Sequence, residues 1–305
     1  MDIAILMNEY RQGDGGEEML MGKNLSVGLA VMTLVLLGTA AFAGDQPEAW
    51  YGEGSHQFSM ATGSPGELGL LKVLAEAFGK QENARMAWFK AGSGESLKLL
   101  RDKKVDLIMV HAPASEKQAV QDGWATKRNL IGSNEFFMVG PAIDPAKIAE
   151  AKGAVDAYRR VAAAKAKFFS RGDNSGTHKK ELDIWRKAVI KPHGDWYVVT
   201  KDFMAATLKR ANQEKGYFMV DSSTWVAAKK EVPDLKILFK GDKLLVNTYH
   251  ALCQPPGATA GAATAAKFSD FVASPQGQQI IRDYGKERYG AGLYNDAAYA
   301  RQYAD

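Results

Sequence analysis

Residues 168 to 185 read FFSRGDNSGTHKKELDIW: a short apolar run, then one arginine, one aspartate, two glycines and three hydroxyl side chains ahead of an amphipathic helical pattern. These residue types hold anions. Arg171 carries a planar fork of donors that suits an oxyanion better than a lysine would, and Ser175 and Thr177 stand beside it. Two more loops share the grammar, MATGSPGELGLL at 60 to 71 and KAGSGESLKLL at 90 to 100. Each sets a helix N-terminus, with its unpaired N–H groups and partial positive charge, at the end of a strand. Taken singly, Thr62, Ser64, Ser93 and Ser175 read as ordinary helix N-caps, and Arg171 as a surface partner of Asp173, a pair worth about 0–1 kcal/mol. Three such loops in one chain shift the balance toward a ligand site. Gly63, Gly92, Gly94 and Gly176 let backbone approach a ligand, whereas a cap needs only one hydroxyl.

Other chemistry finds less support. Gly92-Ser93-Gly94 continues as Glu95-Ser96-Leu97, so the third glycine of a dinucleotide fingerprint and the Gly-Lys-Thr of a phosphate-cradling loop are both missing. His178 and Glu181 fall one turn apart, which is two metal ligands without a third, and a solvated helix face is the simpler reading. No G-x-S-x-G elbow surrounds any serine. His111, after the apolar run VDLIMV, reads as a satisfied loop histidine. No nucleophile is paired with its own base, so the chain is expected not to be an enzyme, with no catalytic residues, no cofactor and no metal ligands.

The elements that must position these loops alternate. Short apolar runs at 58–61, 87–90, 105–110, 136–139, 167–170, 196–199, 216–220, 235–239 and 249–253 read as strands. Helical spacing falls between them, as at Leu70, Leu71, Leu74 and Phe78, and near 146–164, 177–189 and 204–214. Two helices finish the chain. Such alternation implies parallel sheets covered by helices, an α/β class. Gly140-Pro141 and the stretch Tyr249 to Pro256 are the expected crossings between two lobes, and two crossings make a hinge.

Before these elements, Lys23, the apolar run Leu25 to Leu37 and Ala41-Phe42-Ala43 form the n-region, h-region and A-x-A site of an export signal. The run is shorter than the roughly 20 residues of a membrane span. Residues 1–20 are expected to be an upstream mis-start, 21–43 a signal peptide cleaved after Ala43, and the periplasm the destination. Without residues 1–43 the chain carries 37 basic and 30 acidic residues, a net +7 against +4 for the whole sequence. That excess steers anions inward without identifying them. Cys253 is the single cysteine, so no intramolecular disulfide forms.

At the level of motifs the chain resembles the periplasmic tungstate-binding proteins of ABC importers, from about residue 56 to residue 295. SRGDNSGTHKKELDIW (170–185) is close to that family's S-R-G-D-x-S-G-T-H-x-x-E segment. GSGESLKLLRDKKVDLIMVHAPASE (92–116), NEFFMVGPAIDPAKI (134–148) and FVASPQGQQIIRDYG (271–285) match further segments. The resemblance implies a type II periplasmic binding protein of two lobes, each a mainly parallel sheet flanked by helices, with the ligand in the cleft. Residues 44–139 and 250–305 would form lobe 1 and residues 140–249 lobe 2. It implies ligand-binding roles for Thr62, Ser64, Ser93, Arg171, Ser175 and Thr177, and a tetrahedral oxyanion, tungstate first, bound through its oxygens. The implied partners are that anion and a membrane permease, with no nucleic acid, and the receptor is a monomer. Two segments depart from the family. Its first loop reads T-T-T-S where this chain has Ala61-Thr62-Gly63-Ser64, and its TDRGTY is VDSSTW at 220–225. The alternatives are a receptor for molybdate, sulfate or phosphate, a ligand sensor, or an ester hydrolase using Ser175 or Ser64 with His178.

Overall fold

The computed structural model describes residues 46–304. The expected upstream extension and signal peptide lie outside the described residues. The chain begins with strand β1 (Ala49–Tyr51) and strand β2 (His56–Thr62), then the single-turn helix α1 (Ser64–Glu67) and α2 (Leu70–Glu82). It continues through β3 (Ala84–Lys90), α3 (Ser93–Arg101), β4 (Leu107–Val110) and α4 (Pro113–Gln121) to the long strand β5 (Thr126–Pro141). A second series follows: α5 (Ala154–Ala163), β6 (Phe168–Ser170), α6 (Gly176–Lys187), β7 (Tyr197–Val199), α7 (Met204–Gln213), β8 (Tyr217–Asp221), α8 (Ser222–Ala228) and β9 (Leu235–Phe239). Strand β10 (Val246–Cys253) then returns to the first series, where α9 (Ala262–Ala273) and α10 (Pro275–Asp283) close the chain ahead of short C-terminal turns.

The strands form one continuous sheet in the order β1-β3-β2-β4-β10-β5-β8-β6-β7, with β9 also pairing β5. Within each series the site-bearing strands are parallel: β2 with β3 and β4, and β6 with β7 and β8. Because β4, β10, β5 and β8 pair antiparallel in turn, the two series run in opposite directions and the C-terminal ends of β2–β4 and of β6–β8 face each other, and it is at such ends that α/β sheets bind ligands. The crossing strands run antiparallel. β5 pairs β10 up to Glu135 and β8 from Phe136 onward, so one strand serves both series.

Hydrophobic packing follows the same division. One core draws on residues between Phe136 and Leu245, around Phe168, Trp185 and Tyr158. Two others draw on residues up to Ile131 and from Tyr249 onward, around Phe78 and Phe268 and around Leu100 and Ile108. β5 is longer than the apolar run at 136–139 suggests, because Asn129, Gly132, Ser133 and Asn134 interrupt the hydrophobic pattern. Partners inside the fold satisfy the two amides: Asn129 donates to Ser269 Oγ at 3.0 Å and Asn134 to Ser223 Oγ at 2.8 Å. The expected helix near 146–164 is instead a 3-10 turn, Ile148–Glu150, followed by α5. Among the described residues no helix is long and apolar enough to cross a membrane.

Phe168 shows how the core fixes the third loop. It is fully buried at the start of β6, with ring centroids 5.4 Å from Tyr158 and 5.3 Å from Trp185, three residues before Arg171. Phe168→Ala is expected to lower stability by about 3–5 kcal/mol in urea unfolding. A loss under about 1 kcal/mol would mean that this cluster does not anchor the β6 end.

Candidate functional site

The three loops meet. Thr62, Gly63, Ser64 and Pro65 after β2, Gly92 and Ser93 after β3, and Arg171 and Ser175 after β6 line one small cavity. Met109 and His111 at the end of β4, Glu67, Phe203 and Tyr249 complete the wall. Its free space is on the scale of a water molecule or a small ion, too little for an organic metabolite. The loops approach so closely that two glycines are required. A Cβ on Gly94 would lie 2.5 Å from the carbonyl oxygen of Asn174, and one on Gly176 would lie 2.3 Å from Cε1 of His111.

Five of the six residues singled out in the sequence line this cavity: Thr62, Ser64, Ser93, Arg171 and Ser175. Thr177 does not. It is buried one residue into α6, and its hydroxyl has no hydrogen-bond partner. Of the expected N-caps, only Ser175 is one, accepting from His178 N at 3.3 Å. Gly63 and Gly92 occupy the N-cap positions of α1 and α3, without a side-chain cap. Ser93 Oγ accepts from His111 N at 3.2 Å, which leaves its own proton to donate. Thr62 Oγ1 already donates to Met109 O at 2.8 Å, so it ties β2 to β4 in this conformation.

The first-loop departure takes a different meaning in three dimensions. Ala61 is fully buried in the core with Leu100 and Ile108, because alternate residues of β2 face opposite sides of the sheet. A hydroxyl there would point away from the cavity. A Cβ at Gly63, by contrast, meets only Ala91 O, at 3.4 Å. Of the two hydroxyls missing from this loop, only the one at 63 faces the site.

Arg171 supplies the cavity's cation. It does pair with Asp173, as the surface reading supposed, but it is only 4 % exposed. Its Nη2 donates to Asp173 Oδ2 at 2.5 Å and its Nε to Asp202 O at 3.1 Å, and the fork lies 5.5 Å from the Phe203 ring centroid. Asp173 Oδ1 also accepts from Ser175 N at 3.1 Å, so one carboxylate orients both the arginine and the loop. At the rim, Lys90 Nζ contacts Glu67 at 2.8 Å and sits 4.3 Å from the Phe203 ring.

Sequence reasoning missed His111, Met109, Phe203 and Tyr249 as lining residues, since nothing in their spacing sets them beside the loops. His111 is not a satisfied loop histidine: its Nδ1 is buried without a partner. Burial, then the nearby Arg171, pulls its pKa down to about 3, so the ring is neutral. Its ring centroid lies 4.9 Å from that of Tyr249, whose hydroxyl burial holds far above its ordinary value.

Glu181 is not on a solvated face either. It is buried one turn beyond Thr177, accepting from Tyr197 Oη at 2.6 Å and Trp185 Nε1 at 3.1 Å, and burial raises its pKa to about 7. The hydrolase geometry is also absent at Ser175. His178 Nδ1 accepts from Asn174 N at 3.0 Å, and no hydrogen bond joins the imidazole to the Ser175 hydroxyl. Among the described residues no cluster of three or more His, Cys, Asp or Glu side chains is placed to hold a metal ion.

Residues 49–276 match the PBP superfamily domain. The tungstate-binding protein TupA of Peptoclostridium acidaminophilum is 34 % identical over 285 residues, covering 91 % of this chain and 99 % of that protein. Two solved structures align over most of the chain. That of the tungstate ABC transporter from Geobacter sulfurreducens has 38 % identity and a TM-score of 0.69, covering 76 % of this chain and 100 % of its own. The tungstate-binding protein TupA from Desulfovibrio alaskensis has 36 % identity and a TM-score of 0.66, covering 79 % and 98 %.

The raised pKa of Glu181 has a measurable consequence. Its folded value, about 7, exceeds the ordinary 4.5, so the folded state holds the proton more tightly than the unfolded chain. The associated stability is present below about pH 4.5 and is lost as pH rises to about 7, at a slope on the order of 1.4 kcal/mol per pH unit. Urea unfolding of wild type and Glu181→Gln should therefore diverge, the wild type losing stability relative to the variant between about pH 5 and 7. Parallel pH profiles would show that Glu181 is ionised in the fold.

Proposed function

Because the chain belongs to the tungstate-binding protein family within the PBP superfamily, we propose that it is a receptor for a tetrahedral oxyanion, tungstate foremost, which it delivers to the membrane permease of an ABC importer. The observation that carries this reading is the convergence of Ser64, Ser93, Ser175 and buried Arg171 on one ion-sized cavity. In this reading Thr62 holds the first loop to β4 and turns its hydroxyl to the ligand when bound, and Thr177 supports the third loop from below. The helix N-termini of α3 and α6 add N–H donors that have no acceptor within their own helices. Such a site binds by hydrogen bonds and charge alone, which suits a receptor that must release its cargo. It needs no cofactor, and without an activated nucleophile it retains the anion rather than transforming it.

Residues 44–139 with 250–305 and residues 140–249 act as two lobes that open to admit the anion and close on it, with β5 and β10 as the connections. The signal peptide directs the protein to the periplasm, where it works as a monomer.

Calorimetric titration with tungstate, molybdate, sulfate and phosphate tests the reading. Tungstate should bind tightest, and tighter binding of phosphate would contradict the assignment. Arg171→Ala should weaken tungstate binding on the order of 100-fold while the ligand-free protein still unfolds cooperatively, at a melting temperature lowered by loss of the Asp173 pair; an unchanged affinity removes Arg171 from the site. Gly63→Thr should tighten binding by about 2- to 10-fold, the worth of one added hydrogen bond. Ala61→Thr should instead cost about 1–3 kcal/mol of stability by burying an unpaired hydroxyl, with no gain in affinity. Weaker binding by Gly63→Thr would mean that the glycine is matched to a different anion.

A further inference from the structure

The charges around the cavity are already matched before a ligand arrives. Arg171 is paired with Asp173 at 2.5 Å, and Lys90 with Glu67 at 2.8 Å. A dianion entering this space meets aligned donors but little uncompensated positive charge, and burying an unmatched charge is costly. One lining group is able to change that balance. His111 lines the cavity, and its Nδ1 is buried with no hydrogen-bond partner, an uncommon state for a buried polar atom. The ring has little freedom to turn away. Gly176 packs on one side, the Tyr249 ring lies 4.9 Å off and the Phe136 ring 6.3 Å off, and the backbone N–H of His111 is held by Ser93 Oγ.

We propose that His111 is the anion-responsive group of this cavity: when a dianionic oxyanion binds, the imidazole takes up one proton from solvent and donates it from Nδ1 in a hydrogen bond to a ligand oxygen. The inference rests on the oxyanion reading above. The proton adds one positive charge to the ring, the anion keeps its own charge, and no covalent bond forms or breaks. In the ligand-free protein two kinds of influence keep the ring neutral: burial, and the positive charges of Arg171 and then Lys180. Asn247 and Asp173 already favour the charged form, and the Tyr249 hydroxyl stays protonated and uncharged. A dianion within hydrogen-bond reach reverses the electrostatic balance at the ring, because an opposite charge within a few ångströms favours the charged form. The ring starts from about 3, so at neutral pH a complex that holds the proton must take it up on binding.

The test is tungstate titration calorimetry near pH 7 in two buffers of different ionisation heat. About one proton should be taken up per anion bound, and affinity should fall about tenfold per unit of rising pH across about pH 6.5 to 8. His111→Phe keeps the ring packing and should show no uptake, a flat pH profile and binding about 10- to 100-fold weaker. His111→Gln restores a neutral donor, and should recover part of the affinity with no proton uptake. Melting temperatures of the ligand-free variants report their folding, and the wild-type proton count stands without them. Tight tungstate binding by the wild type with no proton uptake overturns the role of His111 and leaves the oxyanion reading intact. Proton uptake that persists in His111→Phe assigns the proton to another group and overturns it equally. Failure of the wild type to bind any of the four anions removes the reading on which the inference rests.

Discussion

A doubly charged anion leaves water only where its hydration is replaced donor for donor, since an unpaired buried charge is too costly for a fold of ordinary stability to carry. No single turn of chain has enough donors for that. The architecture answers by bringing three strand-to-helix turns to one point and anchoring the cation among them. Asp173 is central to this anchoring. One of its oxygens holds the Arg171 fork and the other holds Ser175 N, so the arginine and the N-cap of α6 are oriented together. The Asp202 carbonyl fixes the fork from the next loop.

The sheet topology does the gathering. Parallel pairing within each series sends the ends of β2, β3 and β4 one way, and the reversed direction of the second series brings the end of β6 to meet them head-on. Antiparallel β5 belongs to both series and β10 returns the chain along it to the first, so the cavity lies where the packing of one core gives way to that of another. Close approach at Gly94 and Gly176 is what that geometry requires, because a side chain at the first would meet Asn174 of the third loop and one at the second would meet His111 beyond β4.

Much of this was legible in the sequence, for identifiable reasons. Strand, glycine, hydroxyl and helix recur in order at three places, and that order is local, so Ser64, Ser93, Arg171 and Ser175 are visible without coordinates. What the sequence hides is which way a residue faces once strands pair. Thr62 and Ala61 are neighbours in one loop motif, yet one reaches the cavity and the other lies in the core, and Thr177, two residues past Ser175, is outside the lining. His111, Phe203 and Tyr249 come from a strand end, a loop and a crossing strand, and only long-range pairing brings them together. The polar residues Asn129 to Asn134 concealed half of β5, since their partners on other elements cannot be read from periodicity.

The central claim is that these separate turns hold one anion between them. Crystals grown with tungstate and measured at a tungsten absorption edge locate the metal directly by its anomalous signal. The account predicts one strong site per chain, in the cavity bounded by Ser64, Ser93, Arg171 and Ser175 and within hydrogen-bond reach of their donors through the oxygens. A strong tungsten site elsewhere on the protein, with that cavity empty, would contradict it.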